Sequence, residues 1–339
     1  MVGMDVGVVL ERLGLPERTG PWLEGLAGVP VADAGIPLPG PAGAEAALAP
    51  FALEERDRAE LLGLWPRPHG DPELWWLLER MYGVVVADLG SPAWREWPSL
   101  MDAEDPRVRC APVFAFAAAT PLLRAQHARN GVPDEVTAAT LADVGRHIAK
   151  TRVMFGRSGL EVAGWIALHY RDGLYELGRL QYERAVLEPR GAVAWYGPEE
   201  ARRFGPELAP GQPVLRLHIP QTGPLAPDAV EDSLARARGF FADRFGTDYP
   251  VATCTSWLLD PQLADHLPET SNIVRFQRRF TLLEDGPVGD ADVFRFVFQR
   301  PVVAPDEVPG RTRLERAIVG HLRNGGHWRV RTGWLRLPR

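Results

Sequence analysis

A chain of 339 residues, 45% apolar and 24% charged, has room for two domains and too much apolar content for disorder. Its net charge of −6 argues against nucleic acid as the main partner, and no apolar run reaches the ~18–20 residues of a membrane span. Lys150 is the only lysine; it lies mid-helix in GRHIAKTRVMF without a glycine-rich loop before it, which excludes a Walker-type nucleotide loop and lysine Schiff-base chemistry.

Residues 1–133 read as a helical N-terminal domain with Pro/Gly-rich connections. Ala52–Leu64 and Asp71–Tyr82 have helical spacing, the second with Asp71 placed to cap it and Pro72 in its first turn. Val29–Pro50, rich in Ala, Gly and Pro, predicts an ordered loop or short linker. Six of the 11 tryptophans fall in this part, at Trp22, Trp65, Trp75, Trp76, Trp94 and Trp97. They fit a small aromatic core; the alternative is an apolar acyl or aromatic pocket. The opening MVGMDVGVVLERLGL lacks a basic region and a cleavage-like site, so a cytoplasmic address is expected, and Cys110 and Cys254 suggest no disulfide framework.

After Gly131-Val132-Pro133 a helix is predicted for Asp134–Phe155, opening a second domain over 134–339. Gly164–Arg171 and Leu174–Leu187 read as two strands of a hairpin turning at Asp172-Gly173. Val214–Ile219 is the next strand, followed by the turn Pro220–Pro227. An amphipathic helix, Asp228–Phe245, then carries Val230, Leu234, Ala237, Phe241 and Phe245 on one face and stops at Gly246. Further on come a strand at Val251–Trp257, short helices at Pro261–Leu267 and Asn272–Arg278, and strands at Phe280–Glu284 and Asp292–Gln299. A helix at Arg313–Arg323 and a strand-like tail at Trp328–Leu337 complete the order. The fold class is α+β: helices first, then a mixed β-sheet with flanking helices.

The run from Val214 to Phe241 concentrates the chemistry. A strand that turns directly into a helix aims backbone N–H groups at one spot, where an anion is stabilised. Alternation along VLRLHIP places Leu215, Leu217 and Ile219 on one face and Arg216 and His218 on the other. A histidine with an ordinary pKa near ~6.5 suits general base work, and serves equally as a buried hydrogen-bonding group. Cys254 on the following strand offers an acyl-enzyme nucleophile or plain core filling. Glu176 and Glu183, seven apart on one predicted strand, fall on opposite faces; Glu183 shares its polar face with Arg179 and Gln181, which fits a salt-bridged surface carboxylate or a base. His321 and His327 flank a Gly-Gly turn without a third ligand, so no metal site is expected.

The phrases GLYELGRLQYE, LHIPQTGPL, CTSWLLDPQL and SNIVRFQRRFTL resemble those of a bacterial two-domain acyltransferase family, with a helical N-acyltransferase N-terminal domain and a GNAT-like C-terminal domain. The resemblance implies direct transfer of an acyl group from acetyl-CoA or a longer acyl-CoA to a small-molecule or peptide amine. It implies that the loop Pro220–Pro227 holds the pyrophosphate through the amides of Gln221, Thr222 and Gly223, with Ile219 and Leu225 at its ends, and that Asn272 contacts the pantetheine arm. It also implies that the strands at 214–219 and 251–257 run parallel and splay apart around the thioester. Two departures stand out. The usual Gln/Arg-x-x-Gly-x-Gly/Ala signature is missing, with Pro220, Pro224 and Pro227 unable to donate, and Phe280 stands where a tyrosine acid is expected. Tyr249, Ser256 or water is left to protonate the thiolate. The alternative is a non-catalytic acyl-CoA or ligand-binding protein on the same scaffold.

Overall fold

The computed structural model describes residues 4–31, 35–68, 70–91, 95–188, 195–284, 286–308 and 310–339. The chain divides into two compact units, Met1–Leu174 and Tyr175–Arg339.

Asp71 accepts a hydrogen bond from the Leu74 N–H at 3.1 Å and Pro72 fills the first position, so a helix starts there as the sequence dictates. It is the fifth helix of the first unit, after α1 (Val6–Arg12), α2 (Gly20–Ala27), α3 (Ala44–Leu48) and α4 (Glu55–Gly63). That helix, α5, runs over Pro72–Asp88 and is followed by α6 (Pro106–Arg109), α7 (Ala111–Arg129), α8 (Asp134–Phe155) and α9 (Ala163–Tyr170). Aromatic rings fill the centre. Phe116 stacks on Trp97 at 5.4 Å and on Tyr170 at 4.9 Å, and Trp65 meets Phe114 edge-on at 5.4 Å. Trp65, Trp76 and Trp97 are buried, Trp22 and Trp75 pack against the same core, and Trp94 lies outside the described residues.

The expected division at 133/134 differs from the one observed. Leu141, Val144 and Ile148 of α8 and Ala163, Ile166 and Tyr170 of α9 belong to the core of the first unit, which ends at Leu174. Gly164–Arg171 is also helix rather than strand. Its run is buried almost throughout, so no polar face displays a helical period. Asp172-Gly173 is not a hairpin turn but the end of α9. Asp172 takes a left-handed φ of 53°, and the Gly173 N–H reaches back to the Leu168 carbonyl at 3.0 Å. Gln126 and Asn130 each hold the Asp172 carboxylate at 2.9 Å.

The sheet contains β1 (Leu174–Leu177), β2 (Leu180–Val186), β3 (Pro213–His218), β4 (Val251–Ser256), β5 (Thr281–Leu282) and β6 (Arg331–Arg336), in the spatial order β1-β2-β3-β4-β6-β5. The predicted strand Leu174–Leu187 is thus two strands. Their turn is Gly178-Arg179, where Gly178 has φ 73°. β2 pairs with β3 antiparallel over the whole of β3, and β4 pairs with β6 antiparallel at six positions. The parallel pair β3–β4 is different: its ladder covers Leu215↔Ala252 and Arg216↔Thr253 alone.

Around the sheet lie α10 (Pro198–Phe204), α11 (Pro227–Phe245), α12 (Leu263–His266), α13 (Asn272–Gln277), α14 (Asp290–Val293) and α15 (Arg313–Arg323). The predicted face of α11 is the buried one. Phe241 meets Tyr175, Tyr182 and Tyr249 edge-on at 5.7, 6.4 and 5.7 Å. Asp292–Gln299 is helical rather than a strand: α14 runs on into a π-helix at Phe294–Phe298. Among the described residues no helix is long and apolar enough to cross a membrane.

Candidate active site

Two residues singled out from the sequence meet across the β2–β3 ladder. Antiparallel register sets Glu183 opposite Arg216 and Gln181 opposite His218, so Glu183 lies diagonal to His218 on the shared face. Glu183 Oε2 is 3.0 Å from His218 Nε2, and Glu183 Oε1 accepts from Arg216 Nη1 at 3.1 Å. Glu183 is 4% exposed, whereas the His218 side chain retains 28% exposure. A buried carboxylate thus orients a histidine that still reaches solvent, the arrangement a general base requires. Glu176, expected on the opposite face, shares the face of Gln181 and Glu183 instead. It lies on β1, across a turn from Glu183, and accepts from Gln181 Nε2 at 3.0 Å.

His218 stands at the end of β3, past the last ladder pair with β4. Beyond Arg216 and Thr253 no further ladder pair joins the two strands among the described residues, although β3 runs on to His218 and β4 to Ser256, a gap in pairing where the acyltransferase resemblance implies a wedge. Thr253 and Thr255 share the His218 face of β4, and the Thr255 and Thr332 hydroxyls bond at 2.9 Å. The sequence reading passed over these threonines, although the same period-two alternation that singled out His218 marks them.

Cys254 is not paired with His218. Parallel register puts it on the Leu215 and Leu217 side of the sheet, 2% exposed, and burial pushes its thiol up to about 12. A thiol so held stays protonated at neutral pH, and the cysteine-nucleophile reading loses its geometry. Ser256 follows on that same side and caps the next turn, its Oγ accepting from the Leu258 N–H at 3.1 Å. Tyr249 is buried against Phe241, and burial raises its pKa.

The loop after β3 is open. Gln221, Thr222 and Gly223 are exposed, Ile219 is half-buried and Leu225 buried. Gly223 has φ 130°, and no atom lies within 4 Å of the position a Cβ would take there. Among the described residues no backbone acceptor meets the N–H groups of Gln221, Thr222, Gly223 or Leu225. The loop's carbonyls face Arg179, which donates to Pro220, Gly223 and Pro224 at 3.0, 2.7 and 2.9 Å. Gln221 Nε2 donates to the Phe296 carbonyl of the π-helix. Asn272 opens α13, capped by Ser271, and Gln277 of that helix ties it to the carbonyls of Leu258 and Asp260 at 2.8 Å.

No group of side chains suited to a metal ion occurs among the described residues. His327 pairs with Asp290 at 2.6 Å instead. A cavity of about 270 Å³ in the first unit lies between Leu62, Trp65, Leu74, Trp75 and Arg107; it is lined by two of the six tryptophans and by none of the candidate catalytic or coenzyme-binding residues.

A fold of this order, with a carboxylate-paired histidine where the pairing of two parallel strands stops, is what the acyltransferase resemblance implies. The comparisons agree. A family model for an N-acyltransferase N-terminal domain matches residues 42–171, and one for a GNAT-like C-terminal domain matches 174–335. The chain belongs to this two-domain acyltransferase family. The solved structure of an acyltransferase in complex with decanoyl-CoA and teicoplanin is 37% identical with a TM-score of 0.86, over 99% of this chain and 100% of that one. A mutant acyltransferase in complex with octanoyl-CoA is 37% identical with a TM-score of 0.85 over the same shares. The curated proteins yield no match.

Proposed function

We propose that this acyltransferase moves an acyl group directly from an acyl-CoA thioester to the amine of a small-molecule or peptide acceptor, with His218 as base. The observation that carries the reading is the 3.0 Å contact between His218 Nε2 and the buried Glu183 carboxylate, where the pairing of β3 with β4 stops. With Glu183 accepting from Nε2–H, the imidazole carries its lone pair on Nδ1. That nitrogen takes the proton as the amine attacks the thioester carbonyl and the C–N bond forms. Collapse of the tetrahedral intermediate breaks the C–S bond, and the imidazolium returns the proton to the departing thiolate.

The same reading assigns the diphosphate to the loop Ile219–Leu225, through the amides of Gln221, Thr222 and Gly223, beside the positive end of the 19-residue helix α11. Asn272 serves the pantetheine arm. The solved relatives hold octanoyl-CoA and decanoyl-CoA, and two hold teicoplanin or its 10C form, which supports a medium-length acyl group and a small-molecule or peptide acceptor here. A bacterial cytoplasm, where acyl-CoA is made, suits the reaction.

Calorimetric titration with acetyl-, octanoyl- and decanoyl-CoA, followed by thiol release across a panel of amines, tests the reading. Binding of at least one donor, with release that requires an amine, is the expected result. No heat with any of the three defeats it.

A further inference from the structure

Arg179 was read from the sequence as a polar neighbour of Glu183 on a strand. It occupies instead the turn between β1 and β2, directly after Gly178, and its side chain reaches the loop that follows β3. Nη1 meets the Pro220 carbonyl at 3.0 Å, Nη2 the Gly223 carbonyl at 2.7 Å and Nε the Pro224 carbonyl at 2.9 Å. One guanidinium thus spends its planar fork of donors on three carbonyls of a single short loop.

A trans peptide unit points its C=O and N–H in opposite directions. Turning the Pro220 carbonyl toward Arg179 therefore turns the Gln221 N–H away, and turning the Pro224 carbonyl does the same for the Leu225 N–H. Pro224 has no N–H, so the peptide after Gly223 contributes only its carbonyl. The result is a loop whose Pro220, Gly223 and Pro224 oxygens are drawn to one side by a cation, with the Gln221 and Leu225 N–H groups turned to the other. Three prolines at positions 220, 224 and 227 stiffen this arrangement, and the left-handed Gly223 permits it. Asp228, exposed in the first turn of α11, opposes an incoming anion, and the guanidinium behind the loop offsets that charge.

We propose that Arg179 is a positioning residue for recognition of the coenzyme A diphosphate: it never touches the reacting atoms, and it holds the 220–225 amides in the orientation that accepts the anion. The idea rests on the acyl-CoA reading above. It predicts a defect confined to donors that carry the diphosphate.

The test compares decanoyl-CoA with decanoyl-pantetheine, which has the same thioester and arm and lacks the diphosphate with its 3′-phosphoadenosine, and with decanoyl-3′-dephospho-CoA, which keeps the diphosphate and lacks only the 3′-phosphate. The dephospho donor follows decanoyl-CoA. For the wild type, KM is lower with the CoA donor. For Arg179→Ala and for Arg179→Lys, whose point charge cannot span three carbonyls, KM for decanoyl-CoA rises ~10–100-fold with little change in kcat. KM for decanoyl-pantetheine stays at its wild-type value. Equal KM changes for decanoyl-CoA and decanoyl-pantetheine, a fall in kcat alone, or variants that do not fold overturn the proposal. So does a wild type that treats the two donors alike while turning both over. A wild type that uses neither donor is a separate result, and it removes the acyl-CoA reading itself.

Discussion

Among the described residues two histidine–carboxylate contacts have the same length and different surroundings. In the first unit His169 Nε2 lies 3.0 Å from Asp143 Oδ2, and in the second His218 Nε2 lies 3.0 Å from Glu183 Oε2. Asp143 and His169 are 2% and 1% exposed. Their cage is complete: the carboxylate also accepts from Trp165 Nε1 and Arg146 Nε at 3.0 Å, and His169 Nδ1 meets the Leu174 carbonyl at 3.2 Å. His218 by contrast ends a strand at an unzipped edge. A short hydrogen bond between these residue types does not distinguish structure from chemistry; what surrounds the histidine does.

The largest expected effect falls on the second pair. His218→Ala lowers turnover of the thioester by ~10²–10⁴-fold and leaves the melting temperature close to wild type. Glu183→Gln, which keeps the shape and removes the charge, gives a smaller loss in kcat with little change in KM. A His218→Ala protein that melts much earlier than wild type erases the distinction between the two pairs.

Asp143→Ala sharpens the comparison from the other side, since it strips the partner from buried donors. The expected cost is about 3–5 kcal/mol of stability, read from a denaturant midpoint. Burial pushes the Asp143 carboxyl up, but hydrogen bonds from His147 and His169 outweigh it and hold the group well below the usual carboxylate range. Its contribution is therefore fully present above about pH 4, the unfolded value, and is lost as pH falls further. The variant lacks that acid limb. Cys254→Ala is the smallest perturbation: activity is retained, and stability falls by about 1 kcal/mol for the lost packing. Loss of thioester turnover in a folded Cys254→Ala protein revives the nucleophile.

How much of this was legible follows from which period each segment displays. The helix α11 shows a polar and an apolar face, and β3 alternates, so both could be read from VLRLH and from Val230, Leu234, Ala237 and Phe241. The helix α9 shows neither pattern, because GWIALHY is buried nearly all round, and its β-forming residues pointed to a strand. Phe294–Phe298 erred in the same direction: alternating aromatics suggested a strand where the chain forms a π-helix. For the site, alternation placed Arg216 and His218 on one face, yet their meeting with Glu183 depends on the β2–β3 register, which a one-residue slip reverses. The three carbonyls around Arg179 were out of reach altogether, since they join a turn and a loop 41 to 45 positions apart. Gly178, the left-handed residue just before Arg179, was the one local sign of a turn there.

Lys150, half-buried near the end of α8, is the sole lysine of a protein assigned to amine acylation. A catalyst that holds an activated acyl donor risks modifying its own surface, and a lysine ammonium, once deprotonated, is the usual casualty. Here arginine supplies the solubilising charge instead, and a guanidinium with a pKa above ~12 does not become a nucleophile under working conditions. Lys150 is thus the one side-chain amine of the sequence that an acyl donor could reach for.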